Sequence, residues 1–177
     1  MNAFFILILT LFSAGEKTAE SPTTSAEIQE QQEMSTYYFI RHAEKDLSDP
    51  ENRDPKLSEE GIARAAKWAE ILKEVKFDMI FSSNYERTRT TAKAVAESQQ
   101  KKVQLYDPKK LNDPEFREKT EGKTVLVVGH SNTNPMFVNL LLQEKKYADL
   151  SEEDYGSLYI VHLAPDGTTS SELLKIN

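Results

Sequence analysis

The chain has 177 residues, 29% of them charged and 38% hydrophobic, which suits one globular domain with tails and a real core. Its net charge of -7 excludes a broad nucleic-acid surface, which needs a basic face to release counterions, yet leaves room for a small basic pocket that takes an anion. It contains no cysteine, so no disulfide can form in any compartment.

The first apolar run, "AFFILILTLF" over residues 3–12, is too short to span a bilayer and has the length of a signal-peptide core. Ser13, Ala14 and Gly15 supply the small residues that a signal peptidase accepts, although no lysine or arginine precedes the run. Residues 1–15 are therefore expected to be a signal peptide, cleaved near Gly15, with the protein exported to the periplasm or cell envelope. Gly15 stands where a bacterial lipoprotein would carry its acylated cysteine, so the chain as written has no lipid attachment point there. Residues 16–35 are rich in Ser, Thr, Glu and Gln and bury too little to offset their ordering entropy. They are expected to be a flexible tether, leaving residues 36–177 as the one folded domain.

From Tyr37 apolar runs alternate with helical patterns. "YYFI" reads as a buried strand. After a loop with Pro50 and Pro55, Ser58 is a fitting cap for a helix reaching to about residue 75, with Ile62, Ala65, Ala66, Ala69 and Leu72 at helical spacing. "FDMIF" predicts a second strand, followed by a helix through Ala92, Val95 and Ala96. "KVQLY" predicts a third, half-buried strand, and a short helix is expected after Pro108. "TVLVVG" is β-branched and apolar on both faces, as a central strand should be. Asn134 as N-cap and Pro135 at the first helical position predict a helix burying Phe137, Val138, Leu140 and Leu141. Asp166-Gly167 signals a two-residue turn closing a C-terminal hairpin. The pattern predicts an α/β fold: a three-layer α/β/α sandwich around a mostly parallel sheet, with that hairpin at the end.

In such sheets ligands bind beyond the carboxyl ends of the strands. Arg41 and His42 follow the first strand, Ser82, Ser83, Arg87 and Arg89 the second, Asp107 the third, and Gly129, His130 and Ser131 the fourth. Arginine forks match phosphate oxygens, a helix N-terminus near Ser131 adds backbone donors, and an imidazole can carry a phosphoryl group. There is no phosphate-binding Walker loop and no zinc-helix spacing, so metal-free chemistry without a cofactor is expected. The third histidine, His162, lies in an alternating strand with no motif and reads as structural. The acidic run at residues 152–154 reads as a solvated helix start.

"RHAEK", "SSNYERTRTTA" and "GHSNT", in that order, resemble the histidine phosphatase superfamily, in the branch that also holds the cofactor-dependent phosphoglycerate mutases. The resemblance covers residues 37–142. It implies that His42 is the phosphorylated nucleophile, that Arg41 and Arg87 bind the phosphoryl group, and that His130 stabilises the transferring charge. It also implies a general acid after the third strand, where Asp107 stands, with Glu44 and Glu115 as alternatives. Ser131 joins the expected substrate-binding set and Arg89 stays outside it.

The expected function is an exported phosphatase that hydrolyses a phosphomonoester through phospho-His42, acting on a small phosphorylated substrate or a phosphoprotein. No nucleic-acid partner is expected, and membrane contact only through an uncleaved signal. Two rivals stand beside it: a mutase-like phosphotransferase, disfavoured by the short interval from Arg87 to His130, and a phosphate-binding module without catalysis.

Overall fold

The computed structural model describes residues 33–176, so the expected signal peptide and nearly all of the expected tether lie outside the described residues. The described chain runs β1 (Ser35–Arg41), α1 (Glu59–Ile71), β2 (Met79–Ser82), α2 (Glu86–Ser98), β3 (Val103–Leu105), α3 (Pro114–Thr120), β4 (Thr124–Gly129), α4 (Thr133–Leu142), β5 (Ser157–Leu163) and β6 (Thr169–Lys175). The six strands form one sheet in the order β3-β2-β4-β1-β5-β6. The first four are mutually parallel, and β5 and β6 add an antiparallel edge.

Two apolar layers arise from the alternation of side chains along a strand. Tyr37 and Phe39 of β1, with Val125 and Val127 of β4, face Phe116 of α3 and Phe137, Val138 and Leu141 of α4. Ile40, Leu126 and Val128 point the other way, onto Trp68 of α1 and Ala92, Val95 and Ala96 of α2. β1 and β4 are thus buried on both faces, each large apolar side chain contributing about 1.5–3 kcal/mol. The expected three-layer sandwich is what forms.

Local chemistry explains the element ends. Ser58 caps α1 as expected, its Oγ accepting the Gly61 N–H at 3.1 Å, while Glu59 and Glu60 complement the helix dipole. The buried stripe of α1 is Gly61, Ala65 and Trp68, with Leu72 just beyond; Ile62, expected inside, is exposed. Gly61 is required by close approach, since a Cβ there would lie 2.2 Å from the Glu44 carbonyl oxygen.

Three further expectations are corrected. The short helix starts at Pro114 under an Asp113 cap rather than after Pro108. Asn132, without a side-chain cap bond, stands at the N-cap position of α4, so Asn134 falls inside the helix, and Leu140 faces solvent. The hairpin forms, but Ala164 bonds with both Thr168 and Gly167, giving a three-residue loop in which Gly167 takes φ 85°. A type I turn followed by a left-handed glycine produces that geometry.

Candidate active site

Parallel pairing places the two motif histidines side by side. Arg41 is in register with Gly129, and the His42 N–H donates to the Gly129 carbonyl at 2.9 Å, one step before His130. Two adjacent parallel strands therefore end in histidine at the same sheet edge. The rings meet edge-on, 5.4 Å between centroids at 68°.

The tautomer of His42 is set by its neighbour. His42 Nδ1 lies 2.8 Å from the Ala43 carbonyl, which can only accept, so Nδ1 carries the proton and Nε2 presents a lone pair. Burial, with Arg41, Arg87 and His130 adding repulsion, lowers the His42 pKa to about 3. Ala43 is tied in turn to α2, its N–H donating to Thr91 Oγ1 at 3.0 Å.

His130 is held by a hydroxyl relay. Thr88 Oγ1 gives its proton to the backbone carbonyls of Ser83 and Tyr85, so it accepts from Ser83 Oγ at 3.0 Å. Ser83 Oγ is then left to accept from His130 Nε2–H at 2.9 Å. Burial, with the nearby Arg87 and Arg41 charges, lowers the His130 pKa to about 4. Both rings are neutral near pH 7.

The arginines reach this edge from different elements. Arg41, at the end of β1, is 1% exposed, and its Nη1 donates to the carbonyls of Ser151, Glu152 and Asp154 at 2.8, 3.0 and 3.2 Å. Its face lies 4.3 Å from the Tyr155 ring centroid. Arg87, in the first turn of α2, packs over Tyr85 at 4.5 Å and bonds Asp54 at 3.3 Å. Both Nε atoms are buried with no protein partner. A buried N–H without an acceptor is costly, so each guanidinium keeps a donor that an anion could satisfy.

A cavity of about 530 Å³ gathers Arg41, His42, Arg87, His130 and Ser131, as expected from sequence, together with Lys45, Tyr85, Asp149 and Glu152. The expected acid is not brought in. Asp107 is exposed, its Oδ1 accepts the Lys109 N–H at 2.9 Å in a local turn, and it lines a neighbouring cavity with Glu115. Glu44 points away to pair with Arg64 at 2.5 Å. Arg89 bonds Asn84 outside the cavity, and His162 bonds Thr36 Oγ1 across β1 and β5, in keeping with a structural role. Residues 152–154 start no helix; they form the turn that grips Arg41.

From sequence, Ser83 is placed at this edge but outside the site set, Glu152 reads as part of a solvated helix start, and Lys45 and Asp54 are not singled out. Ser83 sits inside the S-S-x-x-x-R pattern and Lys45 closes "RHAEK", so both were within reach. Asp54 and Glu152 come from loops without a motif. Among the described residues no group of three or more His, Asp or Glu side chains is placed to hold a metal ion, and no helix is long and apolar enough to cross a membrane.

Residues 37–112 match the family model for the histidine phosphatase superfamily (branch 1). No curated protein matches. Solved structures do: one described as a phosphohistidine phosphatase SixA from Agrobacterium tumefaciens has a TM-score of 0.58 at 21% identity, over 79% of this chain and 97% of that one. A mycobacterial glucosyl-3-phosphoglycerate phosphatase gives 0.57 at 15%, over 81% and 99%. A phosphoglycerate mutase from Bacillus anthracis str. Sterne gives 0.60 at 20%, over 81% and 94%. At these identities the likeness establishes the fold. The match to the histidine phosphatase superfamily (branch 1) is carried by residues 37–112, with Arg41, His42 and Arg87 among them, and the chain has the fold of these solved structures.

Proposed function

We propose that the protein is an exported phosphatase that transfers a phosphoryl group from substrate to His42 Nε2 and then to water. The observation that carries this reading is the His42 ring itself: Nδ1–H is fixed on the Ala43 carbonyl, and Nε2 is free, unprotonated and beside two guanidinium groups with unpartnered Nε–H donors. Attack forms the Nε2–P bond as the bond from phosphorus to the leaving atom breaks. Water then breaks the Nε2–P bond and releases inorganic phosphate. Arg41, Arg87 and the N–H-rich start of α4 stabilise the charge on the phosphoryl oxygens.

Two features favour hydrolysis over a mutase reaction and over mere binding. Between Arg87 and His130 the described chain holds only the rest of α2, then β3, α3 and β4, with no added segment to enclose a sugar phosphate. No member of the nucleophile and arginine set is missing.

The position of the acids bears on the substrate. Asp107, Glu44 and Glu115 lie outside the cavity; of the two carboxylates that line it, Asp149 and Glu152, Glu152 is held below the usual carboxylate range by Arg41. A group that stays ionised cannot protonate a leaving oxygen. With none of the three expected acids in the cavity, the proposal favours compounds whose leaving group departs unaided, aryl phosphates or phosphohistidine, over alkyl phosphomonoesters. The test is turnover of p-nitrophenyl phosphate by wild type and His42→Ala. Turnover that vanishes in the variant supports the reading; equal turnover in both overturns it.

A further inference from the structure

The turn at residues 151–154 does two separate things to Arg41. Its backbone carbonyls take Nη1, which fixes where the guanidinium sits. Its Glu152 side chain takes Nη2, with Oε2 at 3.0 Å. The same carboxylate lies 3.8 Å from Lys45 Nζ and accepts from Ser131 Oγ at 3.3 Å. Three donors from two segments, Arg41 and Lys45 of "RHAEK" and Ser131 of "GHSNT", converge on one carboxylate, and all three line the cavity that holds His42. Nη2 and the unpartnered Nε lie on the same edge of the guanidinium, the edge that forks onto an oxyanion.

We propose that Glu152 is a displaceable internal anion, occupying the phosphoryl-binding edge of the free enzyme until substrate pushes it aside. The inference rests on the reading of this cavity as a phosphoryl site. The Glu152 side chain is 71% exposed, so water competes for its ion pairs and a swing outward loses little. A phosphoryl dianion brings more charge and three oxygens, enough to take the Nε–H and Nη2–H fork together. A monoanionic ligand brings no such advantage over a carboxylate already tethered in place. Glu152 thereby selects for dianions. A supporting role for Arg41 is already filled by the three carbonyls, which remain when the carboxylate is removed.

The measurement is vanadate affinity of the full chain, by calorimetry and by inhibition of p-nitrophenyl phosphate turnover. Wild type, Glu152→Gln and Glu153→Gln are compared. Glu153→Gln removes the same charge one residue away, on a side chain that lines a different cavity. Glu152→Gln should bind vanadate and inorganic phosphate roughly two- to fivefold more tightly, the scale of one exposed charge contact, and lower KM in step. Glu153→Gln should match wild type. Weaker binding in Glu152→Gln would make the carboxylate a support for Arg41 and overturn the proposal, as would unchanged binding or an equal gain in Glu153→Gln. If wild type binds vanadate without turnover, the phosphatase reading fails, while the calorimetric comparison still decides this one.

Discussion

His42 and His130 face one another edge-on at 5.4 Å, and neither ring carries a charge near neutrality. Their strands are parallel neighbours, and Arg41 is paired with Gly129, so register alone brings the next residue of each strand together. Each ring is then oriented by a different partner, a carbonyl for His42 and a serine hydroxyl for His130. That difference leaves Nε2 of His42 unprotonated, with Nε2 of His130 fixed on Ser83 beside it.

The depressed values give a pH prediction. Burial lowers His42 to about 3 and His130 to about 4, against an ordinary value near 6.5. The unfolded chain then binds more protons than the folded one between those values and 6.5. Stability is full above 6.5 and is lost as pH falls toward 4 and 3. Imidazole NMR should show neither ring titrating near 6.5, and kcat/KM should pass through that range without a step. A titration of either ring near 6.5 contradicts the burial account.

Ser83 is the one acceptor that orients His130. Ser83→Ala leaves a buried ring nitrogen unpaired, at about 1–3 kcal/mol. Steady-state kinetics should show kcat lower by roughly five- to a hundredfold. Ser83→Thr, which keeps the hydroxyl, should recover part of the loss. Wild-type kcat in Ser83→Ala would show that the relay does not matter.

The acid expected from sequence leads to a different test. With Asp107 and Glu115 turned to another cavity, Asp107→Asn and Glu115→Gln should each hold turnover within about twofold of wild type, far from the 10²–10⁴-fold of general acid catalysis. Wild-type rates should fall steeply as the leaving group becomes more basic, measured across substituted phenyl and alkyl phosphates. A selective loss on alkyl phosphates in Asp107→Asn would restore it as the acid.

Gly61→Ala sets two effects against each other. Alanine improves helix propensity by about 1 kcal/mol. The new Cβ would press on the Glu44 carbonyl oxygen, backbone that cannot turn aside, and overpacking of this kind costs about 1–3 kcal/mol. The clash should win, and the denaturant midpoint should fall. An unchanged or raised midpoint would mean that α1 slides freely over the loop after His42.

Much of the fold was legible in the sequence because the signals were local. The β-branched run of β4 and the Ser58 cap each name their own structure, and Asp166-Gly167 marks the hairpin though not the length of its loop. His42, His130, Arg41 and Arg87 were legible because they stand at strand ends inside a matched motif. The missed features depend on distant partners. Asp107 comes after β3, where the acid was expected, but the backbone after an edge strand turns its carboxylate onto the Lys109 N–H. Glu152 lies 111 residues from Arg41, and nothing in an exposed acidic run says which guanidinium it will meet. Asn134 has the composition of a cap, yet Asn132 takes that place and the helix already begins at Thr133.

The central claim is tested most directly by trapping the phosphoenzyme. Wild type mixed with a labelled aryl phosphate and quenched in base should carry an acid-labile phosphoryl group, and peptide mapping should place it on Nε2 of His42, because Nδ1–H is held by the Ala43 carbonyl. His42→Ala should carry none. A phosphoryl group on His130, on Nδ1 of His42, or on any residue of the His42→Ala variant would contradict the account.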